Sequence, residues 1–67
     1  MIKLLVNDQP EELKKGNTIA ALVEQLELNP NQVAVEVNLE LVPREQHAEF
    51  ELGDNDKVEI VTLVGGG

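Results

Sequence analysis

Thr18-Ile19-Ala20-Ala21-Leu22-Val23-Glu24-Gln25-Leu26-Glu27-Leu28 is the stretch on which the fold turns. Ile19, Leu22, Val23 and Leu26 stand at i, i+3, i+4 and i+7. That spacing is one stripe of an α-helix, and it leaves Glu24, Gln25 and Glu27 to face water. Gly16-Asn17-Thr18 opens the helix, and the side-chain oxygen of Thr18 or Asn17 can cap it. Leu28 is placed to fold back over the last turn. Asn29-Pro30-Asn31 is expected to stop the helix, because proline lacks the N–H that a further turn needs. One helix with one apolar face has to cover one face of a sheet.

The flanking sequence supplies that sheet. Downstream, Val33, Val35 and Val37 alternate with Ala34, Glu36 and Asn38, the strongest strand signal in the chain. Leu39 to Val42 adds a short strand that Pro43 ends, and Arg44 to Glu49 reads as a turn or a single helical turn. Phe50 and Leu52 return to the core. Gly53-Asp54-Asn55-Asp56 is a turn cluster before a last strand from about Lys57 to Leu63. In that strand Val58 and Ile60 point inward, Glu59 and Val61 outward. Upstream, Ile2, Leu4 and Val6 share one face of a strand, with Lys3 and Leu5 on the other. Asn7-Asp8 suits a tight turn, and Glu11 to Lys15 reads as a half-exposed second strand of a hairpin. The first and last strands alternate best and are expected to be central neighbours. The order strand, strand, helix, strand, short strand, strand is that of an α+β, β-grasp (ubiquitin-like) domain, with a mixed four- to five-stranded sheet under one helix. Residues 1–64 are expected to form the domain and 65–67 a flexible C-terminal glycine tail.

Composition narrows the chemistry. The chain has 67 residues, a formal net charge of −8, no cysteine and one histidine. That length holds one domain. No disulfide, thiolate metal cage or cysteine nucleophile is available, and one histidine does not make a metal site. An acidic surface is repelled by phosphate backbones, which disfavours nucleic acid and anionic membranes. No apolar run approaches the roughly 18 residues that span a bilayer, and the start lacks the features of a signal peptide. A soluble, cytoplasmic protein is expected. Phe50 is the one aromatic residue, so the core has to be aliphatic.

Several short runs carry a family resemblance when taken in order. They are Val6-Asn7-Asp8-Gln9, Leu22-Val23-Glu24-Gln25-Leu26, Val35-Glu36-Val37-Asn38, Val42-Pro43-Arg44-Glu45 and Val58-Glu59-Ile60-Val61, followed by the glycines. Over its whole length the chain resembles the small ThiS-like sulfur carriers of thiamine biosynthesis, in the ubiquitin-like β-grasp superfamily. Two departures stand out. Asp54-Asn55-Asp56 has Asn55 where a glycine often sits, and asparagine tolerates the positive φ of such a turn. Three glycines end the chain, so Gly66-Gly67 is the matching pair.

The resemblance implies that the chain is not an enzyme but a protein co-substrate, modified at Gly67. A ThiF-like adenylyltransferase, of ubiquitin-activating type, would convert the Gly67 carboxylate to an acyl-adenylate using ATP and Mg²⁺. A cysteine desulfurase persulfide or another sulfur donor would then displace AMP, and thiazole synthase would use the C-terminal thiocarboxylate. A carboxylate is ionised at neutral pH and a poor electrophile, hence the adenylation. Glycine suits Gly65, Gly66 and Gly67 because a backbone without Cβ atoms passes a narrow channel. The chain itself is expected to bind no cofactor: it has no glycine-rich phosphate loop, since Gly65-Gly66-Gly67 are not followed by a helix. The family docks through the outer sheet face and the tail. That matches Leu5, Val61 and Leu63, whose outward side chains would form an apolar patch if the first and last strands are neighbours.

Other residues invite blander readings. Glu11, Glu12, Glu59, Asp54 and Asp56 can steer a basic partner, but they also simply confer solubility. Asp54 and Asp56 lack the further ligands of a Ca²⁺ loop. His47, between Glu45 and Glu49, reads as a surface histidine, and Arg44 can anchor its loop or touch a partner. Three rivals share parts of the pattern. The small subunit of molybdopterin synthase has the same fold and tail chemistry, a ubiquitin-like modifier would pass its activated carbonyl to a lysine, and a plain interaction module would not use its tail.

Overall fold

Asn7 and Asp8 take φ values of 50° and 67° in a computed structural model that describes residues 1–63. Two consecutive left-handed residues make a two-residue hairpin whose twist matches the strands it joins. It connects β1 (Ile2–Val6) to β2 (Gln9–Leu13). β2 thus starts and ends two residues earlier than the sequence reading of Glu11 to Lys15. The turn is complete at Asp8, so pairing resumes at once with Val6 opposite Gln9 and Leu5 opposite Pro10. Pro10 is tolerated because β2 is an edge strand.

Gly16, at φ 75°, bends the chain into the helix, and a Cβ there would meet the Cβ of Ala21 at 3.0 Å. The helix α1 (Ile19–Gln25) begins where the Thr18 hydroxyl accepts from the Ala21 N–H at 3.1 Å. Of the expected stripe, Ile19, Leu22 and Val23 are buried and Leu26 packs half-buried against them. The helix ends before Asn29-Pro30-Asn31. Glu27 turns left-handed at φ 60°, its N–H bonds the Glu24 carbonyl and that of Leu28 bonds the Val23 carbonyl. This is a Schellman closure without its usual glycine, and it folds Leu28 back onto the core. Pro30 instead opens a 3₁₀ turn, Pro30–Gln32.

β3 (Val33–Val37) runs into β4 (Glu40–Val42) through a second left-handed pair, Asn38 at φ 52° and Leu39 at φ 72°. Leu39 therefore belongs to the turn and not to the strand. A 3₁₀ turn at Arg44–Gln46 follows, and β5 (Lys57–Thr62) closes the sheet. The strand order is β2-β1-β5-β3-β4, with β1 and β5 parallel and the other pairs antiparallel. The sheet is mixed and five-stranded, and β1 and β5 are neighbours as expected. Leu4, Val35, Val58 and Leu22 lie in one aliphatic core between sheet and helix, with Phe50 half-buried at its rim.

Candidate functional site

The expected reacting residue Gly67, with Gly65 and Gly66, lies outside the described residues. The structure does describe the strand that leads to them. β5 is the middle strand, and its alternation matches the sequence reading: Val58 and Ile60 are buried, while Lys57, Glu59 and Val61 are exposed. At its start Asn38 donates its N–H to the Lys57 carbonyl at 2.7 Å, and its Oδ1 accepts from the Lys57 N–H at 3.0 Å. Further along, Asn7 donates its N–H to the Val58 carbonyl at 2.9 Å. Its side chain then meets Ile60, with Oδ1 accepting from Ile60 N–H at 2.8 Å and Nδ2 donating to the Ile60 carbonyl at 3.1 Å. At the end of the strand the Leu63 N–H donates to Gln32 at 2.6 Å. Two asparagines, each at the exit of another strand, thus hold β5 by its backbone. Nothing in the local sequence marks these contacts, because Asn7 and Ile60 are 53 residues apart.

The outer face of the sheet carries the expected docking residues. Val61 is 59% exposed, Leu63 53% exposed, and Val61 lies opposite Ala34 of β3. Leu5 is half-buried at the other end of the face, opposite Lys57 on one side and Pro10 on the other. It is four residues back along β5 from Val61, roughly 13 Å at 3.3 Å per residue. Lys57, Glu59 and Glu36 fill the ground between, Glu59 directly opposite Glu36. Leu5 therefore does not join Val61 and Leu63 in one patch, although the two strands are neighbours: β1 ends before β5 reaches Val61. Leu41, 67% exposed and opposite Glu36, lies on the same face and was missed because its strand partner is not legible locally.

The remaining polar residues are engaged in holding loops. His47 is buried, against the expectation of a surface position, with Nε2 2.9 Å from the Val42 carbonyl. Its own carbonyl accepts from Ala20 N–H at 2.9 Å, so it ties the 3₁₀ turn to β4 and to the first turn of α1. Arg44 Nη1 donates to Asn31 Oδ1 at 3.2 Å. Asp54 accepts from Lys3 N–H at 2.9 Å, and Asp56 from Gly53 N–H at 2.9 Å and Asn38 Nδ2 at 3.1 Å, which fixes the turn around Asn55 at φ 72°. Among the described residues no three His, Cys, Asp or Glu side chains converge as metal ligands, and no helix is long and apolar enough to cross a membrane.

Comparison with known proteins adds whole-length likenesses. The model of the ThiS family matches residues 4–67. The sulfur carrier protein ThiS of Escherichia coli is 33% identical over 66 residues, covering 98% of this chain and 100% of that one. A thiazole synthase of Paramagnetospirillum magneticum is 39% identical over 66 residues, again 98% of this chain. The chain spans 20% of that relative's length. Among solved structures, the thiamine biosynthesis protein (ThiS) of Geobacter metallireducens superposes with a TM-score of 0.81 at 29% identity, covering 98% of this chain and 100% of that one. The five-stranded mixed sheet under one helix is the β-grasp fold of that protein.

Proposed function

The chain belongs to the ThiS family, and from that membership we propose that it is a sulfur carrier of thiamine biosynthesis, loaded at Gly67. The observation that carries the proposal is the reach of the family match, which runs through Gly67 itself. The sheet and its central strand do no chemistry. They present a bare glycine end to enzymes that do.

The cycle follows from the chemistry of that end. A carboxylate oxygen of Gly67 attacks the α-phosphorus of ATP on a ThiF-like adenylyltransferase, and pyrophosphate leaves. A sulfur nucleophile attacks the acyl carbon, and AMP leaves with one of the original carboxylate oxygens. When the nucleophile is a persulfide from a cysteine desulfurase, the product is an acyl disulfide, and a thiol cleaves it to release the thiocarboxylate. ATP and Mg²⁺ belong to the activating partner in this scheme, and the cycle is proposed to run in the cytoplasm.

Thiazole synthase is the proposed acceptor. A likeness to this chain occurring within a protein named thiazole synthase supports that pairing. Val61 and Leu63 serve as the docking residues next to the tail, with Leu5 as a separate contact at the far corner of the same face. A transfer experiment tests the reading. The carrier is loaded with labelled sulfur and incubated with thiazole synthase and its small substrates. The label is expected in the thiazole product. Label that stays on the carrier, or a carrier carbonyl found on lysine side chains of other proteins, would overturn it, the second in favour of a ubiquitin-like modifier.

A further inference from the structure

We propose that Asn7 is a positioning residue for loading: its carboxamide fixes the direction in which β5 carries the chain toward Gly67. The inference rests on the sulfur-carrier reading above and goes beyond it.

β5 bonds to neighbours on two sides. In a strand the N–H and carbonyl of one residue point to the same neighbour, and those of the next residue to the other. Val58 and Ile60 face the lane of β1, whereas Lys57 and Leu63 face β3 and the loop before it. β1 contributes its last main-chain bond when Asn7 N–H reaches the Val58 carbonyl. At Asn7, φ 50° turns the backbone away into the hairpin. No peptide group of β1 remains for Ile60. The Asn7 carboxamide takes the place of the missing peptide, accepting from Ile60 N–H and donating to its carbonyl at 2.8 and 3.1 Å. β5 is thereby held from both sides up to Ile60, two residues beyond the last main-chain bond on the β1 side.

Few side chains can do this. The position needs a residue that tolerates left-handed backbone and offers one donor and one acceptor on a short stem, which is asparagine. Aspartate keeps the acceptor for Ile60 N–H but sets an oxygen against the Ile60 carbonyl. Glycine keeps the turn and removes both bonds.

The restraint acts next to the docking residues. Past Ile60 the strand stays paired with β3 as far as Thr62, and Leu63 N–H bonds the Gln32 carbonyl, so loss of the Asn7 bonds releases β5 on the β1 side alone. The three residues from Ile60 to Leu63 span roughly 10 Å, and a tilt of about 10° at Ile60 moves Leu63 by about 2 Å. A misplacement of about 1 Å can already cost a hundredfold in rate. Carriers without the Asn7 bonds therefore still dock, but fewer of them leave β5 in the direction that presents Gly67 to the adenylylation site.

The test compares the wild-type chain, Asn7→Gly and Asn7→Asp. Loading is followed with ATP, Mg²⁺, a ThiF-like adenylyltransferase and sulfide, and amide hydrogen exchange is read at Ile60 and Val35. For Asn7→Gly the Ile60 amide is expected to exchange at least about tenfold faster, as the loss of two hydrogen bonds implies, with Val35 unchanged. The kcat of loading should fall at least about tenfold while KM stays within about twofold. Asn7→Asp should fall between the two. A carrier lacking Gly66 and Gly67 should compete for the enzyme equally well with or without Asn7→Gly. Faster Ile60 exchange with unchanged kcat would overturn the proposal and leave Asn7 a purely structural residue. A fall in loading through KM alone would overturn it in favour of a docking role. A wild-type chain that does not load at all would sink the sulfur-carrier reading and this inference together, which separates the two failures.

Discussion

Leu39 stands at φ 72° with 83% of its surface exposed, a large apolar side chain in left-handed backbone with little packing in return. Left-handed backbone costs an L-residue roughly 1–2 kcal/mol, and the second position of such a two-residue turn favours glycine. Leu39→Gly is therefore expected to stabilise the fold by about 0.5–1 kcal/mol, part of the relief being offset by the entropy of glycine. A urea titration checks this, and a lower midpoint would mean that Leu39 packs in solution. The residue scale is also where the sequence was least legible. Asn7 was readable as a turn residue, because asparagine tolerates its backbone, whereas Asn38 reads as part of the alternation of β3. The bonds of both to the backbone of β5 were not readable, because Ile60 and Lys57 come close to them only in the finished sheet. His47 sits among Gln46, Glu45 and Glu49, a polar neighbourhood that reads as surface. A 3₁₀ turn has no apolar period to betray an inward side chain, and the ring is buried by its bond to the Val42 carbonyl.

At the scale of elements, β3 and β5 were legible because each alternates cleanly and buries one face. The apolar stripe of α1 was legible for the same reason at a helical period. Boundaries were less so. β2 starts as soon as the Asn7-Asp8 turn permits, and the weak strand formers around it hide that start. α1 ends on Glu27 in a left-handed conformation that glutamate seldom takes, so the proline three residues later misled as to the stop. The alternation of β5 makes Val61 a clean probe of the outer face. Val61→Asp should cost under about 0.5 kcal/mol of stability, as surface substitutions do. In pull-down or calorimetry with the adenylyltransferase it should weaken binding at least about tenfold, as truncating an apolar anchor does. Full binding would remove Val61 from the docking surface. The proposed patch needed more than alternation. Only strand order and register show that Leu5 is parted from Val61 by Lys57 and Glu59, and that Leu41 shares the face.

For the molecule as a whole, the order β2-β1-β5-β3-β4 places the strand that leads to the glycines at the centre of the sheet, paired on both sides. The order of elements was enough to expect this arrangement, since one helix stripe and two well-alternating terminal strands leave few ways to close a core. A net charge of −8 on so small a domain disfavours contact with phosphate backbones and is expected to suit encounters with basic enzyme surfaces. Among the described residues no three His, Cys, Asp or Glu side chains converge, and the proposed chemistry lies at Gly67. The most direct test is intact-protein mass spectrometry after incubation with ATP, Mg²⁺, a ThiF-like adenylyltransferase and a sulfur donor. A mass increase equal to one oxygen replaced by one sulfur is expected, located at Gly67 and absent when Gly67 is deleted or Gly66→Phe is introduced. An unchanged mass, with an enzyme that loads another carrier in the same mixture, or loading that persists in both variants, would contradict it.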